Sequence, residues 1–279
     1  GGGRAMSATP SLIRTTALEL LRAHDAADGR GTDPYNAHPR IHPMADGVFL
    51  EAAGALHRAG VLGESEGRRI ARRALTRLRA RSFDGAWGLG FAWERRPADA
   101  VYAITTAMVL RGLVAADALL IREEVEPLRE AALARLRAWR TDGIEWQGQR
   151  LIPYGSNDRE IAWNVVAQSA YAEHCADPAS DPDPAYRAVL AAREGALWPY
   201  GPSHPRRDLL HTCYIAEALL RAGLISPAEA IAAIAPFLYA GAPLDRLDPI
   251  GGFDELLRAM RRGELAALDS PLRRIEGAP

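Results

Sequence analysis

Residues 198–223 read WPYGPSHPRRDLLHTCYIAEALLRAG. The first half carries Trp198 and Tyr200 and is broken by Pro199, Gly201, Pro202 and Pro205, so it reads as a loop. The second half repeats apolar residues every three or four positions and stops at Gly223, which is a helix with a glycine end. Asp208 stands at the join as an N-cap, three residues before His211, which is three before Tyr214.

The same loop-then-helix unit occurs four times. Loops 28–46, 82–99, 141–160 and 194–208 are rich in Asp, Pro, Gly and aromatic residues, and each runs into an Ala- and Leu-rich helix. Between them lie Arg-rich helical stretches such as RRIARRALTRLRA (68–80) and LREAALARLRAW (128–139). Helical spacing also covers 11–24, 226–240 and 252–268, with Ser226, Pro227 and Glu229 forming a helix start and Gly60 a stop. Strand alternation is short throughout. The expected fold is therefore all-α, an array of α-hairpins with Ala-rich helices inward and Arg-rich helices toward water. Closed into a ring, such an array puts the aromatic loops on one face around a cleft; an open solenoid is the other arrangement.

The chain has 279 residues, 48% hydrophobic and 25% charged, with a formal net charge of −1. That supports one large domain over 7–279 and gives no electrostatic reason for nucleic acid or an anionic membrane as a partner. All 34 basic residues are Arg, which excludes lysine Schiff-base chemistry in this chain. Cys175 and Cys213 are far apart and fit neither a disulfide framework nor a thiolate metal site, so a cytoplasmic location is expected. No apolar run reaches the roughly 18 residues that span a bilayer. The opening GGGRAM resembles a cloning remnant with Met6 as the native start, and it has no signal-peptide core. Neither a cofactor nor a metal is expected: His38 and His42 have helical ligand spacing, but the prolines between and after them oppose a helix.

DPYNAHPRIHP, DGAWGLGFAWERR, LIPYGSNDREIAWNVVAQSAYA and WPYGPSHPRRDLLHTCYIAEAL together resemble the signature stretches of bacterial α/α-toroid proteins found in polysaccharide-biosynthesis settings. The likeness spans roughly residues 30–223 and is most specific at Trp198, Tyr200, Asp208, His211 and Tyr214. It departs at Asn36, where that group has Asp. The resemblance implies an α/α toroid. Such folds also include polysaccharide lyases, uronyl epimerases, glycosidases and terpenoid cyclase barrels, a likeness of fold alone.

His211 and Tyr214, with Asp208 beside them, form a candidate base and acid pair; the plainer reading is a helix cap, a loop hydrogen bond and a core tyrosine. Trp87 and Trp93 offer flat faces for a sugar or apolar ligand, or staple neighbouring hairpins together. Arg95 is a candidate carboxylate clamp. Tyr154 and Asn164, together with Trp198, Tyr200 and Tyr35, complete the expected binding set. Asn164 sits in an apolar helix where its amide must be satisfied. Asp33, Asp84 and Asp208 are the carboxylates available to a hydrolase. The expected function is a carbohydrate-active protein, a lyase or epimerase acting on an acidic polysaccharide or glycan. A terpenoid cyclase or prenyl-binding barrel and a non-enzymatic glycan-binding or scaffold module are the alternatives.

Overall fold

The computed structural model describes residues 8–33, 36–92, 96–156, 158–239, 242–243 and 246–247. The helix expected over 252–268 lies outside them. The described residues are helical with short hairpins, which makes the chain all-α. In order they form α1 (Ala8–Ala26), β1 (Arg30–Asp33), β2 (Asn36–Ile41), α2 (Pro43–Arg58), α3 (Glu64–Ala80), α4 (Ala103–Ala115) and α5 (Arg122–Thr141). Then come β3 (Ile144–Trp146), β4 (Gln149–Leu151), α6 (Trp163–Ala176), α7 (Asp183–Ala191), β5 (Arg207–Asp208), α8 (Leu209–Arg221) and α9 (Pro227–Ile234). The two-residue strands β6 (Leu238–Tyr239), β7 (Ala242–Pro243) and β8 (Arg246–Leu247) close the described chain. Every sheet has two antiparallel strands, pairing β1–β2, β3–β4, β5–β8 and β6–β7.

Two compact units divide the chain. The first holds residues up to 142 with 154–159 and 172–180; the second holds 143–153, 160–171 and the residues from 181 on. In the first unit α2 and α4 pack at backbone distance. A Cβ on Gly47 would lie 2.7 Å from the Met108 carbonyl oxygen, and one on Gly112 would lie 2.3 Å from that of Gly47. Larger residues there would push the helices apart. Residues 103–113 of α4 are all buried, so this Ala-rich helix is an inner one as its sequence indicates.

The Arg-rich α3 corrects the expectation that such helices only face water. Arg72 reaches Glu124 from the surface, but Arg77 is buried. Its Nε and Nη2 donate to the Asp46 carboxylate at 3.0 and 2.6 Å, and His24 Nε2 donates to the same carboxylate at 2.9 Å. A buried ion group therefore joins α1, α2 and α3, because a charge removed from water needs a partner. Helix ends follow their sequence signals: Ser226 and Glu229 form a reciprocal capping box, and Gly60 and Gly223 take φ of +70° and +72°.

The repeat in the sequence is a repeat in contacts. Trp87 and Trp198 each follow a tight turn, paired Phe83–Ala86 and Glu194–Leu197. Each ring N–H donates to a carbonyl two residues from the end of the preceding helix, Leu78 at 2.8 Å and Val189 at 2.9 Å. Both bonds go to carbonyls in the last turn of the helix, where the chain supplies few amides. A glycine then clips the start of an inner helix. A Cβ on Gly90, Gly155 or Gly201 would lie 2.9, 2.7 or 2.2 Å from the carbonyl oxygen of Ile41, Val101 or Ile161. Each of these is two residues before α2, α4 or α6. The first amides of α4 and α6, on Ala103 and Trp163, donate to Tyr154 and Tyr200 carbonyls at 3.0 and 2.9 Å. Helix α2 begins at Pro43, which has no N–H to give.

Candidate functional site

The clip at α6 shapes the loop before α8. With the Tyr200 carbonyl held by Trp163, its own N–H donates to the Arg206 carbonyl at 2.7 Å, and Gly201 pairs with His204. The loop thus folds back on itself and brings three side chains to the Tyr200 ring. The His211 ring meets it edge-on at 4.7 Å between centroids, the His204 ring at 5.9 Å, and the Arg206 guanidinium carbon lies 5.3 Å from its centre. His204 is also paired with Glu160 at 2.5 Å.

Asp208 caps α8 as its sequence position indicates, accepting the His211 backbone N–H at 2.8 Å. The same carboxylate takes His211 Nδ1 at 2.6 and 2.7 Å from its two oxygens. A carboxylate can only accept, so Nδ1 carries a proton. Nε2 is then the nitrogen with basic capacity whenever the ring is neutral, and the described residues give it no hydrogen-bond partner. The His211 side chain is 22% exposed, enough to meet a ligand while its orientation is held. Burial pushes the Asp208 carboxyl up, but the hydrogen bonds and charge of His211, with Arg206 nearby, outweigh it and hold Asp208 below the usual carboxylate range. Burial, with the charges of Asp208 and Glu217, pushes the neighbouring Cys213 thiol up, so it is no ready nucleophile.

Tyr214 lies one turn beyond His211, half-buried, on the same side of α8. Its carbonyl accepts Gln168 Nε2 at 2.7 Å, and that nitrogen also lies 3.1 Å from Glu217. Asn164 is one turn before Gln168 on α6 and is 2% exposed. Its Oδ1 is buried without a hydrogen-bond partner among the described residues.

Other expected site residues part from this group. Trp87 and Trp198 are buried to the ring and serve as the staples described above, so neither has a face to stack on a ligand. Asp84 takes a positive φ at the tip of its turn and pairs with Arg135 on the surface. Tyr154 lies in the first unit, edge-on to Tyr102 at 5.5 Å, with the Arg96 guanidinium 5.5 Å from its centre. Arg96 Nε donates to Asp158 at 3.0 Å. Tyr35, Trp93 and Arg95 lie outside the described residues, and the Asp33 side chain does too, although its backbone pairs with Asn36. Arg206, His204, Glu160 and Gln168 are additions the sequence reading missed. Gln168, a polar residue within the apolar stretch IAWNVVAQ, is the one with a visible signal.

No protein-family profile and no curated protein matches the chain. Among solved structures it is similar to UGL, an unsaturated glucuronyl hydrolase, in an Asp-to-Asn variant with dGlcA-Glc-Rha-Glc. That likeness has a TM-score of 0.54 at 16% identity and covers 81% of this chain and 68% of the other. The fold is that of an α/α toroid. Among the described residues no helix is long and apolar enough to cross a membrane.

Proposed function

We propose that the chain is a carbohydrate-active enzyme of uronate-containing glycans, working through His211. The observation that carries this reading is the Asp208–His211 pair, in which both carboxylate oxygens meet Nδ1 and Nε2, beside Tyr200, has no hydrogen-bond partner among the described residues. A histidine oriented by a carboxylate is a proton acceptor suited to neutral pH. In a lyase, His211 Nε2 takes the proton on the carbon next to the uronate carboxylate. The bond to the leaving oxygen breaks as a carbon–carbon double bond forms, and Tyr214 gives that oxygen a proton. In an epimerase the same proton is removed and one returns on the opposite face. Tyr200 contributes binding.

A hydrolase of unsaturated uronates is the second reading, supported by the structural likeness to UGL. One assay separates the two. A lyase raises the ultraviolet absorbance of unsaturated uronates when given acidic polysaccharides, and the hydrolase lowers it when given dGlcA-Glc-Rha-Glc. His211→Ala abolishes either signal. No change with acidic glycans of either kind, while the protein stays folded, ends the lyase and hydrolase readings; proton exchange with deuterated water at the carbon next to the carboxylate tests the epimerase, and binding without either leaves a glycan-binding module. A terpenoid cyclase needs exposed aromatic faces to stabilise cations, and in DGAWG (84–88) the Trp87 ring is buried.

A further inference from the structure

An arginine lies over the ring of a Pro-Tyr-Gly tyrosine in both units, and the two copies differ in what holds the arginine. In the first, Arg96 over Tyr154 is tied to Asp158 by a 3.0 Å hydrogen bond and a second close contact. In the second, Arg206 over Tyr200 stands beside Asp208, but the Asp208 oxygens are given to His211. Arg206 is left 3.6 Å from Asp208 Oδ2, with a side chain 45% exposed and no side-chain hydrogen bond among the described residues. Its neighbours in the same loop and helix are taken: Arg207 by Glu194, Arg193 by Glu229, Arg221 by Glu217. The exchange of partners that orients His211 thus leaves the Arg206 guanidinium with one long ion pair and its hydrogen-bonding fork unused, beside the same tyrosine ring.

We infer that Arg206 is a specificity residue that binds the carboxylate of a uronate held beside Tyr200, with the carbon that bears this carboxylate turned to His211. The inference rests on the proposed function above. A planar guanidinium fork matches a carboxylate in two parallel hydrogen bonds, which an ammonium cannot reproduce. Tyr200 supplies an apolar surface beside both groups, and its backbone is clipped to the amide of Trp163 and the carbonyl of Arg206. Arg206 is thereby assigned to binding, and the proton chemistry stays with His211.

The test is calorimetric titration of the full chain with dGlcA-Glc-Rha-Glc and with the same sugar reduced at the carboxylate. The wild type binds the acidic sugar roughly tenfold or more tightly, the scale of one charge-assisted pair. Arg206→Gln brings the two affinities together by weakening only the acidic sugar, and Arg206→Lys falls between. Equal binding of both sugars by the wild type overturns the inference and leaves the glycan reading standing. So does an acidic preference that survives in Arg206→Gln. Binding of neither sugar by the wild type overturns both. Arg206→Gln melting within a few degrees of wild type separates lost recognition from lost fold.

Discussion

Asp208 meets His211 twice, accepting its backbone N–H at 2.8 Å and its ring Nδ1–H at 2.6 Å on the same oxygen. One carboxylate thus starts α8 and sets the tautomer of the residue it starts with. The two duties separate chemically. An asparagine oxygen still caps a helix, but a neutral amide neither stabilises an imidazolium nor fixes which ring nitrogen carries the proton. Asp208→Asn is therefore expected to change stability by less than about 1 kcal/mol while turnover falls by at least about 100-fold. Steady-state rates and urea melts of the same preparation check this. An Asn variant with full activity would remove Asp208 from the site.

The pairing also sets a pH dependence. Asp208 is held below its ordinary range in the folded chain, so the unfolded chain binds its proton more readily. Its contribution to stability is present above the ordinary aspartate value of about 3.9 and is lost as pH falls through the lower folded value. The difference in Tm between wild type and Asp208→Asn should be widest near neutrality and close under acid conditions. A difference independent of pH would mean that the charge contributes nothing.

Glu173 has the opposite sign. Burial pushes its carboxyl above the ordinary range, and Arg140, paired at 2.9 Å, with Arg137 only partly offsets that. The folded chain therefore holds this proton more tightly, and stability is lost as pH rises through the folded value. Glu173→Gln removes the buried charge and is expected to stabilise by about 1 kcal/mol at neutral pH, since desolvation outweighs the pair. The gain should fade as the pH is lowered. Chemical denaturation at two pH values measures it, and a loss of stability at neutral pH would show that the Arg140 pair dominates.

The glycine clips make a graded prediction. A methyl on Gly201 meets the Ile161 carbonyl at 2.2 Å and one on Gly155 meets that of Val101 at 2.7 Å, both backbone atoms that cannot step aside. Gly195 has open space and only a φ of +63° to resist substitution. The expected order of destabilisation is Gly201→Ala, then Gly155→Ala, then Gly195→Ala, from about 3 kcal/mol down to about 1. Urea midpoints give the order directly. Equal losses at all three would show that the close carbonyl contacts at Gly155 and Gly201 add no cost of their own.

Much of this was legible in the chain itself. Helix periods, the Asp208 cap, the Ser226 box, the glycine stops and the four loop–helix units are local, because each rests on residues within a turn or two of one another. The same locality left Trp87 open between a ligand face and a staple. Trp87 and Trp198 have the composition of a binding surface, and only the position of the preceding helix end shows that their ring N–H groups close a carbonyl.

What only the tertiary structure decided is which partner each charged group takes. Asp46 has no local signal, yet it joins His24 and Arg77 from two other helices. Arg96 and Arg206 occupy alike places beside alike tyrosines, and no spacing in the sequence tells that Asp158 holds the first while His211 draws Asp208 from the second. Local propensities act over a few residues, whereas the pairing of charges depends on distances that exist only once the helices have packed. The sequence by itself determined an all-α array with a capped histidine at its last loop; packing determined that the Asp46 carboxylate gathers charges from two other helices and that the Trp87 and Trp198 rings are buried.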